Sequence, residues 1–416
     1  MKNTLTIITL VIFFIPLICF ANVFDTGTRI TINSAELAEK RTLQILLPEN
    51  YQANLTATYP VIYLLDGDYN FHGVSGMLDL LANKGQLIPN VILVGLADKG
   101  TETYRKYMTP NDSSSPIKGN KGAAKSFLDF LNNEVQPYMK KHYRTAEHST
   151  LVGHSIGGLF VLNALIETPS AFDNYVAISP SVWVSDNAIV KKAQDKLGKT
   201  QHEKVSLYLA LGDETRMGQY AFIDQLDNKA LKNIDWHFKH YPDENHNSVA
   251  LIALRDSLKT IFKGWHLQEK IVEGFEPEKT LQHYANIQDS LGLQQPIPAS
   301  IVHVMIRQHY RQKIADALPA FIKNAVERFP ESKQLLIAKQ ASFVGYYDSP
   351  ESALSLLKNV ETEFANSIEH MKAIASIYEQ LKDNASAQDY YKKALTLAQQ
   401  QKVNQWQVNI IQAKLL

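Results

Sequence analysis

Thr150-Leu-Val-Gly-His-Ser-Ile-Gly-Gly158 is the most informative segment of the chain, because it places Ser155 between two glycines directly after an apolar run. This pattern is typical of a nucleophile elbow, a sharp turn from a strand into a helix that holds a serine hydroxyl clear of the backbone. A Cβ at Gly153 or Gly157 would crowd the turn or the neighbouring strands. The following residues, 159–165, have the apolar density of a buried helix. The sequence therefore predicts a helix whose first N–H groups point at whatever bonds to Ser155.

Short apolar runs alternate with longer amphipathic ones from about residue 27 to residue 267, which predicts an α/β domain with one mixed, eight-stranded sheet. The later runs are apolar on successive residues, as expected for strands covered by helices on both faces. Helical spacing predicts helices over Ala123–His142 and Ser248–Trp265. The predicted strands are Arg29–Ile32, Thr42–Leu47, Val61–Leu65, Val91–Leu96, Leu151–Gly153, Tyr175–Ser179, Val205–Leu211 and Trp236–His240.

Composition argues for a globular protein that acts on a small or neutral substrate. The 416 residues are 45% hydrophobic, which is enough for a large domain and a smaller one with cores of their own. Lys plus Arg (42) balances Asp plus Glu (42), so no overall field attracts nucleic acid or an anionic membrane.

The first 21 residues predict a signal peptide. A charged start precedes an apolar run from Leu5 to Phe20, and small residues occupy the sites that a signal peptidase reads. An uncleaved anchor is the alternative, but the run is short and contains Pro16, so stable membrane insertion is not expected. Cys19 is the only cysteine, so a processed chain would have no disulfide, thiolate metal site or cysteine nucleophile. The predicted location is exported, either periplasmic or secreted.

After residue 267 the strand signals end and helical composition begins. Three similar segments, 321–325, 356–360 and 390–394, recur at spacings of 35 and 34 residues. A period of 34 residues is typical of tetratricopeptide-like helix pairs, which stack to bury their apolar faces. An irregular helical bundle is the alternative. The predicted organisation is a signal peptide at 1–21, an α/β domain at 22–267 and a helical repeat domain at 268–416.

A serine nucleophile needs a general base, and the base needs an acid to orient it. Both are expected on loops beyond the carboxyl ends of strands, in the chain order serine, acid, histidine that follows a nucleophile elbow. His246 lies in a polar loop just before a predicted helix and is the preferred base. Glu214 and Asp213, after the seventh predicted strand, are the two candidate acids.

The developing oxyanion needs two backbone donors. One is the N–H group after the nucleophile, at Ile156, and the other is expected after the third strand, at Asp68. Gly67 would allow the close approach that this role requires.

These residues, taken with several further motifs, give the segment 27–267 a resemblance to a known family. It resembles the putative esterase family that includes esterase D, feruloyl esterases, mycolyltransferases and enterochelin-type siderophore esterases, all of which have the α/β-hydrolase fold. The matching pieces are Pro60-Val-Ile-Tyr-Leu-Leu-Asp-Gly67, Arg105 with Thr109-Pro110, Phe127-Leu-Asp-Phe-Leu-Asn-Asn-Glu134 with Pro137-Tyr138, Gly153-His-Ser-Ile-Gly-Gly-Leu-Phe160, Ser179-Pro-Ser-Val-Trp183 and Glu244-Asn-His-Asn-Ser-Val249.

The resemblance implies site residues as well as a fold. It makes Ser155 the nucleophile, His246 the base and a carboxylate of the loop after Leu211 the acid. Glu214 is favoured because the family's acid stands four residues before a second glycine, here Gly218, although most relatives use Asp. Arg105, which could equally be a solvated charge, and Trp183, which could equally fill the core, are candidate substrate-binding residues together with Tyr69. No metal or cofactor is implied.

The sequence thus predicts an exported serine ester hydrolase that acts through an acyl-enzyme on a small-molecule or siderophore-type ester. The alternative is an interaction protein whose helical repeat binds a protein partner, with a hydrolase domain that is inactive or transfers acyl groups to an alcohol.

Overall fold

The computed structural model describes residues 26–49, 51–111, 122–199, 204–229, 231–274, 276–401 and 403–415. The predicted signal peptide, residues 1–21, lies outside these ranges. Within them, no helix is long and apolar enough to cross a membrane.

A single mixed sheet of eight strands confirms the predicted fold class. Its strands are β1 (Thr28–Ser34), β2 (Glu39–Leu46), β3 (Tyr59–Leu64), β4 (Ile92–Leu96), β5 (Thr145–His154), β6 (Asn174–Ile178), β7 (Val205–Leu211) and β8 (Ile234–His240). Their order across the sheet is β1-β2-β4-β3-β5-β6-β7-β8. Strand β2 is antiparallel to β1 and β4, and the pairs from β4 to β8 are parallel. The carboxyl ends of the parallel strands therefore meet at one edge, where their loops can form a site.

Strands β3, β4 and β6 are buried at every residue, as their unbroken apolar sequences predicted. The largest difference from prediction is β5, which begins at Thr145 rather than Leu151. Its first half is polar but pairs with β3, starting with Tyr59 opposite Thr145. Backbone pairing of this kind leaves no hydrophobic signal in the sequence.

Helices cover both faces of the sheet. They are α1 (Gly67–Leu78), α2 (Thr101–Met108), α3 (Ala124–Phe130), α4 (Gln136–His142), α5 (Ile156–Glu167), α6 (Val184–Lys196), α7 (Gln219–Lys229) and α8 (Val249–Ile261). The helix predicted over Ala123–His142 is α3 and α4 joined by a π-helical turn at Leu131–Val135. Helix α1 begins only two residues after β3, so Asp68 lies in a first helical turn rather than in a loop.

The rest of the described chain is helical. Its helices are α9 (Glu269–Glu273), α10 (Pro277–Leu291), α11 (Ala299–Arg311), α12 (Leu318–Arg328), α13 (Lys333–Tyr347), α14 (Pro350–Lys358), α15 (Ile368–Gln380), α16 (Asn384–Gln400) and α17 (Gln405–Ala413). The three repeated segments begin in α12, α14 and α16, and α13 packs on α14 as α15 packs on α16. Helix α17 returns to the sheet-containing part, where Gln407 donates a hydrogen bond to Glu49.

The apolar core does not divide at residue 268, where the composition changes. One face of the sheet shares a continuous core with α1, α8 and the helices α9–α12, through residues such as Tyr284, Ile301 and Ile322. The Tyr284 hydroxyl donates a buried hydrogen bond of 2.7 Å to the carbonyl oxygen of Trp265. A separate core begins within α13 and continues through α17. Helices α9–α12 therefore share the core of the sheet. The composition indicates that a segment is helical, but it does not indicate which core the helix packs into.

Candidate active site

The turn from β5 into α5 has the strained geometry expected of a nucleophile elbow. Ser155 has φ 56° and ψ −116°, and its N–H donates to the carbonyl oxygen of Ile178 on β6 at 2.9 Å. A Cβ on Gly153 would overlap the carbonyl group of Gly157, and one on Gly157 would lie 2.5 Å from the Tyr104 hydroxyl. Both glycines are thus required by close approach, as the sequence predicted.

Three of the predicted residues form a hydrogen-bonded chain. Ser155 Oγ lies 3.0 Å from His246 Nε2, and His246 Nδ1 lies 2.5 Å from Glu214 Oε1. The three side chains lie on the segments that follow β5, β7 and β8, whose carboxyl ends meet at the same edge of the sheet although β6 lies between β5 and β7. The candidate nucleophile, base and acid are within hydrogen-bond reach of one another in this arrangement.

Of the two candidate acids, only Glu214 is in contact with His246 in the described chain. Asp213 is exposed, and its N–H donates to the carbonyl oxygen of Glu244 at 2.8 Å. Burial raises the pKa of the Glu214 carboxyl, but hydrogen bonds from its own backbone and from His246 outweigh this effect and hold the pKa below its ordinary value. Glu214 is therefore ionised at neutral pH and can only accept hydrogen bonds.

His154, the residue before the nucleophile, packs against the candidate base. The two imidazole rings have centroids 4.6 Å apart and are tilted by 41°. Burial, together with the neighbouring His246, lowers the pKa of His154 to about 4. A neutral ring therefore packs against one face of His246.

Asp68 is held firmly at the start of α1. Its carboxylate accepts hydrogen bonds from Gln44 (2.8 Å), Arg29 (2.9 Å) and the backbone N–H of Asp98 (2.9 Å). The N–H groups of Tyr69 and Asn70 donate to the carbonyl oxygen of Asp66. Asp68 is the second residue of α1, and the first N–H groups of a helix have no partner within the helix. The Asp68 N–H is thus a fixed donor at a helix N-terminus next to β3.

A half-buried acid that the sequence did not reveal, Asp66, lies beneath this turn. Asp66 has a left-handed conformation with φ 58°, and Gly157 leaves room for its carboxylate beside the buried Tyr104 hydroxyl. Burial raises the pKa of Asp66 to about 7, and the Asp98 carboxylate adds to the shift. The Asp-Gly pair after β3 marked the turn, but no sequence signal showed that the side chain points inward.

The three candidate substrate-binding residues are all exposed. Tyr69 is 71% exposed on α1 and Trp183 is 51% exposed before α6, so Trp183 does not fill the core. Arg105 is exposed on α2, a helix that packs against α5. The Trp183 N–H donates to the carbonyl oxygen of Met217 at 3.2 Å, which ties this segment to the loop that carries Glu214.

A cavity of about 910 Å³ lies elsewhere, between residues 53–56 of the sheet-containing part and the inner faces of α13 and α15. It reaches Tyr59, the first residue of β3. The hydrogen-bonded chain lies at the opposite, carboxyl ends of the strands, so this cavity is not part of the candidate site. Within the described ranges, no group of three or more His, Cys, Asp or Glu side chains is placed to hold a metal ion.

Comparison with known proteins identifies relatives over most of the chain. The model of the family described as "Putative esterase" matches residues 34–296. The chain is 28% identical over 258 residues to the ferri-bacillibactin esterase BesA of Bacillus subtilis, an alignment that covers 56% of this chain and 89% of BesA.

Two solved structures extend the likeness. The IroE-like serine hydrolase from Shewanella oneidensis is 27% identical with a TM-score of 0.59, and the match covers 76% of this chain and 99% of that one. An uncharacterised protein from Capnocytophaga ochracea, 16% identical with a TM-score of 0.56, covers 93% of this chain and 99% of its own. This second match concerns the fold alone, and it includes the helical part.

Proposed function

We propose, from the premise that the chain belongs to the putative esterase family and is a carboxylic ester hydrolase with the α/β-hydrolase fold, that Ser155, His246 and Glu214 are its catalytic triad. The observation that carries this proposal is the chain of hydrogen bonds from Ser155 Oγ through the imidazole to Glu214, with distances of 3.0 and 2.5 Å. The strained φ of 56° at Ser155 supports it, because such strain persists where it holds a reactive side chain.

The triad acts in two steps. In the first, Ser155 Oγ attacks the ester carbonyl carbon while its proton moves to His246 Nε2, and the tetrahedral intermediate expels the alcohol, which takes that proton. In the second, water gives a proton to His246 and attacks the acyl-enzyme, and the acid leaves as Ser155 recovers the proton. Glu214 holds the imidazole in the tautomer that accepts at Nε2 and stabilises the imidazolium.

The oxyanion is proposed to accept hydrogen bonds from the backbone N–H groups of Ile156 and Asp68. Both groups are at helix N-termini, where the dipole favours negative charge. The three hydrogen bonds to the Asp68 carboxylate support this role, because a donor that is held in place needs no reorganisation as the charge develops.

A siderophore-type ester is the proposed substrate. The support comes from BesA, which is named as a ferri-bacillibactin esterase and is aligned over 89% of its length. Tyr69 and Trp183, exposed aromatic side chains on two segments that follow strands β3 and β6, are proposed to contact the planar groups of such a molecule, and Arg105 its anionic groups.

We also propose that the protein is exported and that its helical part binds a partner. Residues 1–21 have the pattern of a signal peptide, which would place the enzyme in the periplasm or outside the cell. The paired helices α13/α14 and α15/α16 support a tetratricopeptide-like arrangement that binds a protein partner.

Kinetics of Ser155→Ala test the proposed function. Full-length enzyme and variant are assayed with aryl esters of graded acyl length and with a ferric catecholate siderophore. Loss of the nucleophile costs about a million-fold in turnover in a well-studied serine protease, so we expect no activity above background on any ester and an unchanged melting temperature. More than a few per cent of residual activity would contradict the triad, and a wild-type protein inert on every ester would favour the interaction-protein alternative.

A further inference from the structure

A second serine hydroxyl lies against the proposed nucleophile. Ser181 Oγ is 3.3 Å from Ser155 Oγ, and the Ser181 N–H donates to the carbonyl oxygen of Ser155 at 3.0 Å. Ser181 is only 4% exposed. Two hydrogen bonds thus join the same two residues, one through the backbone and one through the hydroxyls.

The direction of the hydrogen bond between the two serine hydroxyls follows from the other hydrogen bonds, those of Glu214 and His246. Ionised Glu214 can only accept, so His246 carries its hydrogen on Nδ1 and accepts at Nε2. Ser155 must then give its single hydrogen to Nε2. Its oxygen can therefore only accept from Ser181, whose hydroxyl is the donor.

We propose that Ser181 is a further catalytic residue, whose hydroxyl stabilises the negative charge that develops on Ser155 Oγ in both steps. The inference rests on the proposed triad. During attack, the Ser155 proton passes to His246 before the new C–O bond is complete, so Oγ carries partial negative charge. During deacylation the C–Oγ bond breaks, Oγ keeps the electron pair, and His246 returns the proton.

In both transition states Oγ is a better acceptor than in the neutral serine or in the acyl ester. Hydrogen bonds to an ionised acceptor are roughly twice as strong as neutral ones. A contact that is stronger in the transition state than in the ground state lowers the barrier. The Ser181 hydroxyl meets this condition because it contacts the reacting oxygen itself.

The backbone around Ser181 holds its hydroxyl in place. Ser179 has a left-handed conformation, with φ 39°; its N–H donates to Ala210 at 2.8 Å, and its hydroxyl accepts from the Gly212 N–H at 3.2 Å. Pro180 packs against Gly158, where a Cβ would lie 3.0 Å from its Cα. The segment is thus fixed to both the elbow and the strand that leads to Glu214, and the left-handed turn supports a functional role.

The test compares Ser181→Ala with Ser185→Ala in the full-length chain. Ser185 is a matched control, because its hydroxyl is also buried in the segment after β6 but has no hydrogen-bond partner among the described residues. Two assays are used. Inactivation by an alkyl fluorophosphonate gives a second-order rate, and the burst phase with p-nitrophenyl acetate gives the acylation and deacylation rates.

We expect Ser181→Ala to lower the inactivation rate and both burst-phase rates by roughly tenfold to a hundredfold, somewhat less than loss of a side-chain oxyanion donor, with KM nearly unchanged. Ser185→Ala should stay within about twofold of the wild type, as an unpartnered hydroxyl predicts. Both variants should melt near the wild-type temperature.

A Ser181→Ala variant that reacts with the fluorophosphonate as fast as the wild type would overturn the inference and leave the triad intact. Equal losses in both variants would also overturn it, because the cause would then be the segment and not the hydroxyl. A wild-type protein that does not react at all would refute the proposed triad, and this inference with it.

Discussion

Replacing Glu214 with Gln tests the acid of the proposed triad, because the change keeps the shape of the side chain and removes its charge. The Gln amide can turn its NH₂ group toward His246 Nδ1, which leaves the hydrogen on Nε2 and prevents that nitrogen from accepting the serine proton. The neutral amide also gives less support to the imidazolium. In a serine protease the equivalent change lowers kcat by about 10⁴.

The expected size of the effect follows from exposure. The Glu214 side chain is 14% exposed and that of His246 is 34% exposed, so water screens part of the charge that is lost. We therefore expect kcat to fall by about 10²–10⁴, equivalent to about 3–5 kcal/mol of transition-state stabilisation. The assay is hydrolysis of p-nitrophenyl acetate, with thermal unfolding as the check on folding.

Asp213→Asn is the matched control, one residue away and exposed. It should change kcat by no more than about twofold, as expected for a surface charge. Glu214 is not the acid if Asp213→Asn is the more damaging change, or if Glu214→Gln keeps about half of the wild-type kcat.

The other predictions concern stability. Because burial raises the pKa of Asp66 from 3.8 to about 7, the folded state holds its proton more tightly than the unfolded state, and stability falls as pH rises between these values. Asp66→Asn should therefore raise the free energy of unfolding by up to about 4 kcal/mol at pH 8 and by much less near pH 4, measured by urea unfolding. Gly157→Ala places a Cβ 2.5 Å from a buried tyrosine hydroxyl and should cost about 1–3 kcal/mol, whereas Gly76→Ala, with nothing within 4 Å, should not destabilise. A chain that ends after residue 267 should be insoluble or molten because it loses part of a shared core, while one that ends after residue 348 should fold; a soluble, cooperatively melting shorter chain would contradict this.

Local sequence patterns predicted most of the fold and the residues of the proposed triad. The elbow is visible because Gly153, Ser155 and Gly157 alternate within one five-residue motif, and buried strands such as β4 are visible because every residue is apolar. His246 was identifiable because the chain order and a polar loop before a helix narrowed the choice. Glu214 came from the spacing to Gly218 that the family resemblance supplied, and its contact with His246 agrees with that spacing.

Features that depend on contacts between distant segments could not be predicted from local sequence patterns. The Ser181 hydroxyl, the inward-facing Asp66 and the polar half of β5 depend on strands and loops that meet only in the folded sheet. The extent of the sheet's core could not be predicted either. Tyr284 hydrogen-bonds to Trp265 across the point in the sequence where the composition changes.

The most direct test of the proposed nucleophile is the position of a covalent adduct. The full-length protein is treated with an alkyl fluorophosphonate, digested and examined by tandem mass spectrometry, with Ser155→Ala treated in parallel. We expect one phosphonyl group per chain on Ser155, stoichiometric with loss of esterase activity, and no adduct on the variant. An adduct on another residue, or full inactivation without modification of Ser155, would contradict it.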